Sequence, residues 1–265
     1  MTAFALAKRL RAGETVFSGW CMMGSTIVAE TIAREGFAAV VLDAQHGLWD
    51  TGSLVAGIGA VHHAGSAPMV RVPLNDFGMV SRALDFGAEA IIAPMINNDA
   101  DARQFAAAAK FPPLGERSFG PPRALMLQGQ FAATDYLAAA NAGTLTLAMI
   151  ETPEALANAG TIAETPGIDA LFIGPYDLAT SLSAGKAQDI NAPEVDAAID
   201  RICAAAIKAG KIPGIYCRDA SRALEIAKRG FRFLTVGSDF SAVRDSVSAS
   251  MKVLAVTRGN TKDPF

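Results

Sequence analysis

Five polar residues in this chain of 265 follow short apolar runs, and their types define a small chemical repertoire. Glu151 stands in Met149-Ile150-Glu151-Thr152-Pro153, and Asp177 in Ile173-Gly174-Pro175-Tyr176-Asp177. A pair of carboxylates can bind a divalent cation through oxygen alone, with water filling the other positions, a sparse ligation that suits Mg²⁺ or Mn²⁺. Arg71, in Met69-Val70-Arg71-Val72-Pro73, is a permanent cation able to hold a carboxylate or an enolate oxygen with a two-pronged hydrogen bond. His46, in Asp43-Ala44-Gln45-His46-Gly47, carries an imidazole and is the natural proton shuttle, with Asp43 three residues earlier to orient it.

Those residues act together only if the fold brings four run ends to one place. Eight short apolar runs, each bounded by Gly, Pro or Asp, read as parallel strands buried on both faces. They are Val16–Met22, Ala38–Ala44, Pro68–Val72, Ala90–Met95, Leu145–Ile150, Ala170–Ile173, Ile212–Tyr216 and Phe231–Val236. Between them lie amphipathic helical segments such as Thr26–Arg34, Asp99–Lys110, Val195–Lys208 and Arg222–Lys228, and Ser241–Val256 supplies the last helix. Gly36, Gly65, Gly87, Gly210 and Gly230 stand where left-handed caps would end helices. Eight strand-then-helix units predict one α/β domain over 1–265, a (β/α)8 TIM barrel whose active site lies at the C-terminal ends of its strands. No G-x-G-x-x-G follows the first strand, which weakens a dinucleotide-binding alternative. The longest irregular stretch, Phe111–Ala124, is Pro- and Gly-rich, as functional loops often are.

Composition narrows the class further. With 51% hydrophobic and 18% charged residues the chain is not a disordered one. A balance of 23 basic to 26 acidic residues offers no long-range attraction to nucleic acid or to an anionic membrane. No apolar run approaches the roughly 18 residues of a membrane span. The N-terminal charges follow a very short apolar stretch, the wrong order for a signal peptide. Three cysteines, Cys21, Cys203 and Cys217, form no disulfide framework, and a reducing, cytoplasmic location is expected.

Single residues of these types also have ordinary uses. Asp50, Asp99 and Asp219 read as helix caps, and His62 and His63 as structural residues near a helix end. Every lysine (Lys8, Lys110, Lys186, Lys208, Lys211, Lys228, Lys252 and Lys262) reads as helix, loop or tail. Imine chemistry needs a desolvated lysine inside the barrel, so metal-assisted enolisation is favoured.

Six motifs in register, Asp43-x-x-His46-Gly47, Arg71-Val72-Pro73, Ala93-Pro94-Met95, Phe111-Pro112-Pro113-Leu114-Gly115, Glu151-Thr152-Pro153 and Gly174-Pro175-x-Asp177-Leu178, resemble the HpcH/HpaI aldolase family. These are metal-dependent class II pyruvate aldolases, and the resemblance spans roughly Gly19 to Asp239. It implies a barrel of the phosphoenolpyruvate/pyruvate superfamily that cleaves a 4-hydroxy-2-oxo acid reversibly to pyruvate and an aldehyde. It implies Mg²⁺, Mn²⁺ or Co²⁺ on Glu151 and Asp177, chelating the keto acid, and Arg71 on the enolate oxygen. His46, directly or through a water on the cation, would move the proton, with Asp43 as its partner. Asp85 matches an aspartate that reaches the histidine of an adjacent subunit, and the backbone around Gly174, Pro175, Tyr176 and Asp177 would hold the pyruvate carboxylate. Arg117, Ser118 and Arg123 match a loop that contacts the distal part of the substrate. The implied assembly is a homo-oligomer, a hexamer or trimer of dimers, with the last helix exchanged between neighbours.

Two positions depart from the family pattern. Gln45 stands where many members carry Glu, and Tyr176 replaces a small residue. Both bear on the choice of aldehyde. A CoA-ester lyase resembling the citrate lyase β subunit, or a barrel that binds keto acids without turnover, are the alternative readings.

Overall fold

In the computed structural model, which describes residues 4–129 and 132–260, eight parallel strands close into a barrel in sequence order. They are β1 (Val16–Cys21), β2 (Ala39–Asp43), β3 (Ala67–Arg71), β4 (Ala90–Ala93), β5 (Leu145–Ile150), β6 (Ala170–Ile173), β7 (Ile212–Cys217) and β8 (Phe233–Val236). β8 returns to β1 through the register Ser18↔Thr235, so no edge is left open. Every strand agrees with the expected one to within two residues at each end. Residues 1–3, 130–131 and 261–265 of the expected domain, Lys262 among them, lie outside the described residues.

Side-chain alternation sorts each strand into two cores. Val16, Trp20, Val41, Met69, Leu147, Met149, Phe172 and Phe233 fill the barrel interior. Cys21, Val40, Leu42, Val70, Ile91, Leu171 and Leu234 face the surrounding helices. A run buried on both faces needs no polar alternation, which is why these strands read as continuous apolar stretches.

The structure adds a helix that sequence patterning did not single out, Ala5–Arg11 ahead of β1. Its Leu6, Ala7 and Leu10 join the interior cluster and close the N-terminal end of the barrel. The backbone N–H of Leu6 donates to buried Glu89 at 3.4 Å, and Arg11 pairs with Asp169 at 2.8 Å. Short helices Pro122–Leu127 and Ala159–Glu164, and the longer Ala133–Gly143, are likewise additions, whereas Pro153 opens helix Pro153–Ala157, as a proline in a first turn can.

The five glycines expected to end helices all have left-handed φ, from 67° to 108°. Asp50 and Asp219 cap helices as expected, Asp50 through a capping box with Ser53. Asp99 does not: Asn98 is the cap, accepting from the Asp101 N–H, and Asp99 occupies the first turn, where its charge suits the helix dipole.

Lys110 ends its helix as expected, and among the described residues it is the one fully buried lysine. It is fully buried, donating to the carbonyls of Thr144 (2.7 Å) and Asn141 (3.1 Å) and to Asp169 (2.7 Å). Burial lowers its pKa, and Asp169 acts against that shift. It sits beside the residues that lead into β5 and β6, at the opposite end of the barrel from the strand C-termini. Imine chemistry at the mouth gains no lysine from it.

Candidate active site

The strand ends expected to converge do converge. Trp20, Met22, His46, Arg71, Met149, Glu151, Phe172, Gly174, Pro175, Tyr176, Asp177 and Tyr216 line one cavity of about 210 Å³ at the C-terminal mouth. That is below the roughly 300–1,000 Å³ of sites for drug-sized ligands, so the space fits a molecule of a few heavy atoms.

One wall is built on β2 and β3. The register pairs Asp43 directly with Arg71. Their side chains form a two-pronged ion pair, Arg71 Nε to Asp43 Oδ1 at 2.9 Å and Nη2 to Oδ2 at 2.6 Å. Asp43 is fully buried and also accepts from the Trp20 indole (3.2 Å) and from the backbone N–H groups of Gln45 (3.1 Å) and His46 (3.3 Å). Here the structure corrects an expectation. Asp43 folds the turn that carries His46, but its carboxylate is committed to Arg71 and bonds His46 through the backbone, not the ring. The fork leaves Nη1 as the arginine nitrogen that Asp43 does not take. Arg71 therefore stands in the barrel with its charge balanced and one nitrogen, Nη1, wholly to spare. His46 itself is exposed at the rim.

The facing wall is built on β5 and β6. Glu151 is buried, and its Oε2 accepts the backbone N–H of Met95 at 3.0 Å. Met95 has a left-handed φ of 55°, a conformation a non-glycine residue rarely holds, at the residue that donates to the carboxylate. A Cβ at position 174 would collide with Glu151 Oε1, so only glycine lets that oxygen reach the cavity. Burial raises the Glu151 carboxyl to about 7, the Met95 N–H opposes the shift, and the nearby Asp177 carboxylate adds to it. Asp177 lies in the first turn of helix Pro175–Leu182 and is exposed to the cavity. Pro175 occupies the first helical position and has no N–H to donate, so Tyr176 and Asp177 supply the free amides at this helix start.

Two oxygen donors, one of them buried beside the other's charge, form a set that a divalent cation would satisfy and that would neutralise their repulsion. Among the described residues no group of three or more His, Cys, Asp or Glu gathers anywhere, so a cation here would draw its remaining ligands from water and substrate.

Several lining residues escaped the sequence reading. Trp20, Met149, Phe172 and Tyr216 are apolar or aromatic members of strands, and their only signal was inward alternation at a strand's C-terminal end. Tyr216 packs 6.1 Å from Tyr176, and burial together with that neighbour pushes its phenol up to about 12. Other expected residues lie elsewhere in the single chain. Asp85, on helix Phe77–Phe86, forms an ion pair with buried Arg117 at 2.5 Å. Arg123 donates to the Val55 carbonyl at 2.9 Å. None of the three borders the cavity of its own chain.

A closed eight-stranded barrel with an arginine facing paired carboxylates at its C-terminal mouth has the layout of a barrel enzyme, whose active site lies at that face. The sequence model of the HpcH/HpaI aldolase/citrate lyase family matches residues 19–246. The chain is similar to a hydroxypyruvate/pyruvate aldolase of Rhizorhabdus wittichii, 39% identical over 93% of this chain and 95% of the relative. It is also similar to a 4-hydroxy-2-oxo-heptane-1,7-dioate aldolase of Salmonella dublin, 34% identical over 89% of this chain and 88% of that one. The crystal structure of an HpcH/HpaI aldolase/citrate lyase family protein from Burkholderia cenocepacia superposes with a TM-score of 0.86, at 32% identity, over 95% of this chain and 99% of that chain. The protein belongs to the HpcH/HpaI aldolase/citrate lyase family. It is a carbon–carbon lyase of the aldolase type. Among the described residues no helix is long and apolar enough to cross a membrane.

Proposed function

We propose that the protein cleaves a 4-hydroxy-2-oxo acid reversibly to pyruvate and an aldehyde through a pyruvate enolate, with a divalent cation held by Glu151 and Asp177. The observation that carries this reading is the meeting of Arg71, Glu151 and Asp177 in one small well with His46 at its rim. The names of the two aldolase relatives support it. Bound Mg²⁺, Mn²⁺ or Co²⁺ would supply Lewis acidity, drawing charge from the C2 carbonyl as the C3–C4 bond breaks. Arg71 Nη1 donates to the oxygen on which the enolate charge grows. The free amides at Tyr176 and Asp177 receive the keto-acid carboxylate at the positive end of their helix. His46 takes the proton from the C4 hydroxyl during cleavage and returns it during synthesis. Tyr176 borders the space left for the aldehyde.

The test strips the protein with chelator, restores each metal, and follows exchange of pyruvate methyl protons for deuterium by NMR. Metal-dependent exchange is expected. Pyruvate binding without exchange under any metal would overturn the enolate mechanism in favour of a CoA-ester lyase or a keto-acid-binding barrel. His46→Ala is expected to slow aldol cleavage by about 10²–10⁴-fold, the usual contribution of a positioned acid–base group, with metal affinity by calorimetry unchanged. Loss of the metal in that variant would make His46 a ligand instead.

The same proposal extends to assembly and location. The terminal helix Asp239–Asn260 exposes Phe240, Val243, Val247 and Met251 along one face, and an apolar groove of about 410 Å³ lies open outside β8 and β1, lined by Phe17, Phe37, Ala223, Leu224 and Val236. Exchange of this helix between copies would cover both surfaces and build the homo-oligomer, six copies as a trimer of dimers. Light scattering is expected to give that mass, and Val247→Glu to lower it. Asp85 would then face a neighbouring copy's site. Three unpaired, buried cysteines support a cytoplasmic setting.

A further inference from the structure

Trp20 lies at the C-terminal end of β1, 4% exposed, and the aldol step described above gives it no part. Its indole makes two contacts to the Asp43–Arg71 pair at once. The N–H donates to Asp43 Oδ2 at 3.2 Å, the same oxygen that accepts Arg71 Nη2. The ring face lies 4.8 Å from Arg71 Cζ, within cation–π range. The ring is itself fixed, stacked on Phe172 at 6.2 Å and 12° and met edge-on by Tyr216 at 5.5 Å and 84°.

These contacts bear on a weakness of the fork. A guanidinium held along one edge keeps its distance from the carboxylate but remains free to tilt about that edge, which swings Nη1, the nitrogen left for substrate. An aromatic face beneath the guanidinium carbon restricts the tilt, and the indole N–H fixes the carboxylate about which it would turn. We infer that Trp20 is a positioning residue that sets the direction of Arg71 Nη1 toward the enolate oxygen. The inference rests on the reading of Arg71 as the enolate's partner. A displacement of about 1 Å at such a donor can cost about 10²-fold in rate.

Two variants separate this role from simple filling of space. Trp20→Phe keeps an aromatic face and removes the N–H; Trp20→Leu removes both. Each is made in the wild-type chain and with Arg71→Lys, which has no planar fork to align. Melting temperature, kcat and KM for cleavage are measured on the metal-loaded enzyme. Affinity for oxalate, a planar mimic of the enolate that needs no turnover, is measured as well. In the wild-type background kcat is expected to fall about tenfold for Trp20→Phe and about 10²-fold for Trp20→Leu, with KM within about threefold and oxalate affinity falling in step. In the Arg71→Lys background both losses should shrink below about twofold, because the aligned donor is already gone. Equal losses in the two backgrounds would overturn the inference and make Trp20 a packing residue. If Trp20→Leu does not fold, the oxalate affinities of the Trp20→Phe pair decide alone. Wild-type enzyme that turns over without metal-dependent exchange of pyruvate protons would instead refute the enolate reading, and this role with it.

Discussion

Arg71→Ala is expected to lower kcat by at least about 10²-fold, the scale on which loss of one preorganised donor to a developing oxyanion is felt. The argument starts with the strand. Arg71 is the last residue of β3, paired in register with Asp43, and is 8% exposed, so its charge has only the barrel interior and the mouth to act on. Asp43 takes Nε and Nη2, which fixes the guanidinium while sparing Nη1. Alanine would also leave the fully buried Asp43 carboxylate without its counter-ion. Breaking one side of a buried pair typically costs about 3–5 kcal/mol, so a lower melting temperature should accompany the slower rate. Arg71→Lys separates the two effects: it restores charge to Asp43 but not the fork, and should recover stability more than kcat. An alanine variant within about threefold of wild-type kcat would remove Arg71 from the mechanism.

Metal affinity is expected to depend on protons because Glu151 holds one near neutrality. Burial and the Asp177 carboxylate raise its carboxyl to about 7 in the metal-free chain. A cation must displace that proton, so affinity should fall about tenfold per pH unit below 7 and level off above it. The folding linkage runs the other way for the metal-free protein. Between the ordinary value of 4.5 and about 7 the folded chain binds a proton that the unfolded chain has released. Stability contributed by this group is therefore lost as pH rises through that window. Melting temperature with and without Mg²⁺ or Mn²⁺ should show a larger metal increment at pH 8 than at pH 6. Glu151→Gln should abolish the increment and cut activity by about 10³-fold or more, since Lewis-acid stabilisation is worth several kcal/mol. Equal increments at both pH values would show that the cation does not compete with this proton.

Much of this is legible in the sequence. Strands buried on both faces announce themselves as apolar runs, and polar residues closing such runs can only face a barrel mouth. Arg71, Glu151 and Asp177 were found on that logic, and His46 by the glycine turn that follows it. What stayed hidden depends on contacts across the chain. Nothing local to Asp43 says that it turns to Arg71 on the next strand rather than to the His46 ring three residues on. Trp20 reads as one more strand residue until its ring is seen against Arg71. Met95 carries no glycine-like signal of its left-handed backbone, because tertiary packing imposes it. Helix Ala5–Arg11 is too short for a periodic pattern, and only its docking on the barrel floor shows its purpose.

That floor has a kinetic meaning. Among the described residues Leu6, Ala7 and Leu10 seal one end, so the cavity is a well that opens at the mouth formed by the strand C-termini. In the orientation derived above, the pyruvate half lies against the carboxylates and Arg71, and the aldehyde half lies toward the rim. On the proposed reaction the two products of cleavage would therefore leave in a fixed sequence, aldehyde first and pyruvate second, and in synthesis the keto acid would have to arrive before its partner. An aldehyde that reached an empty well would find no nucleophile waiting and would block the route of the one it needs.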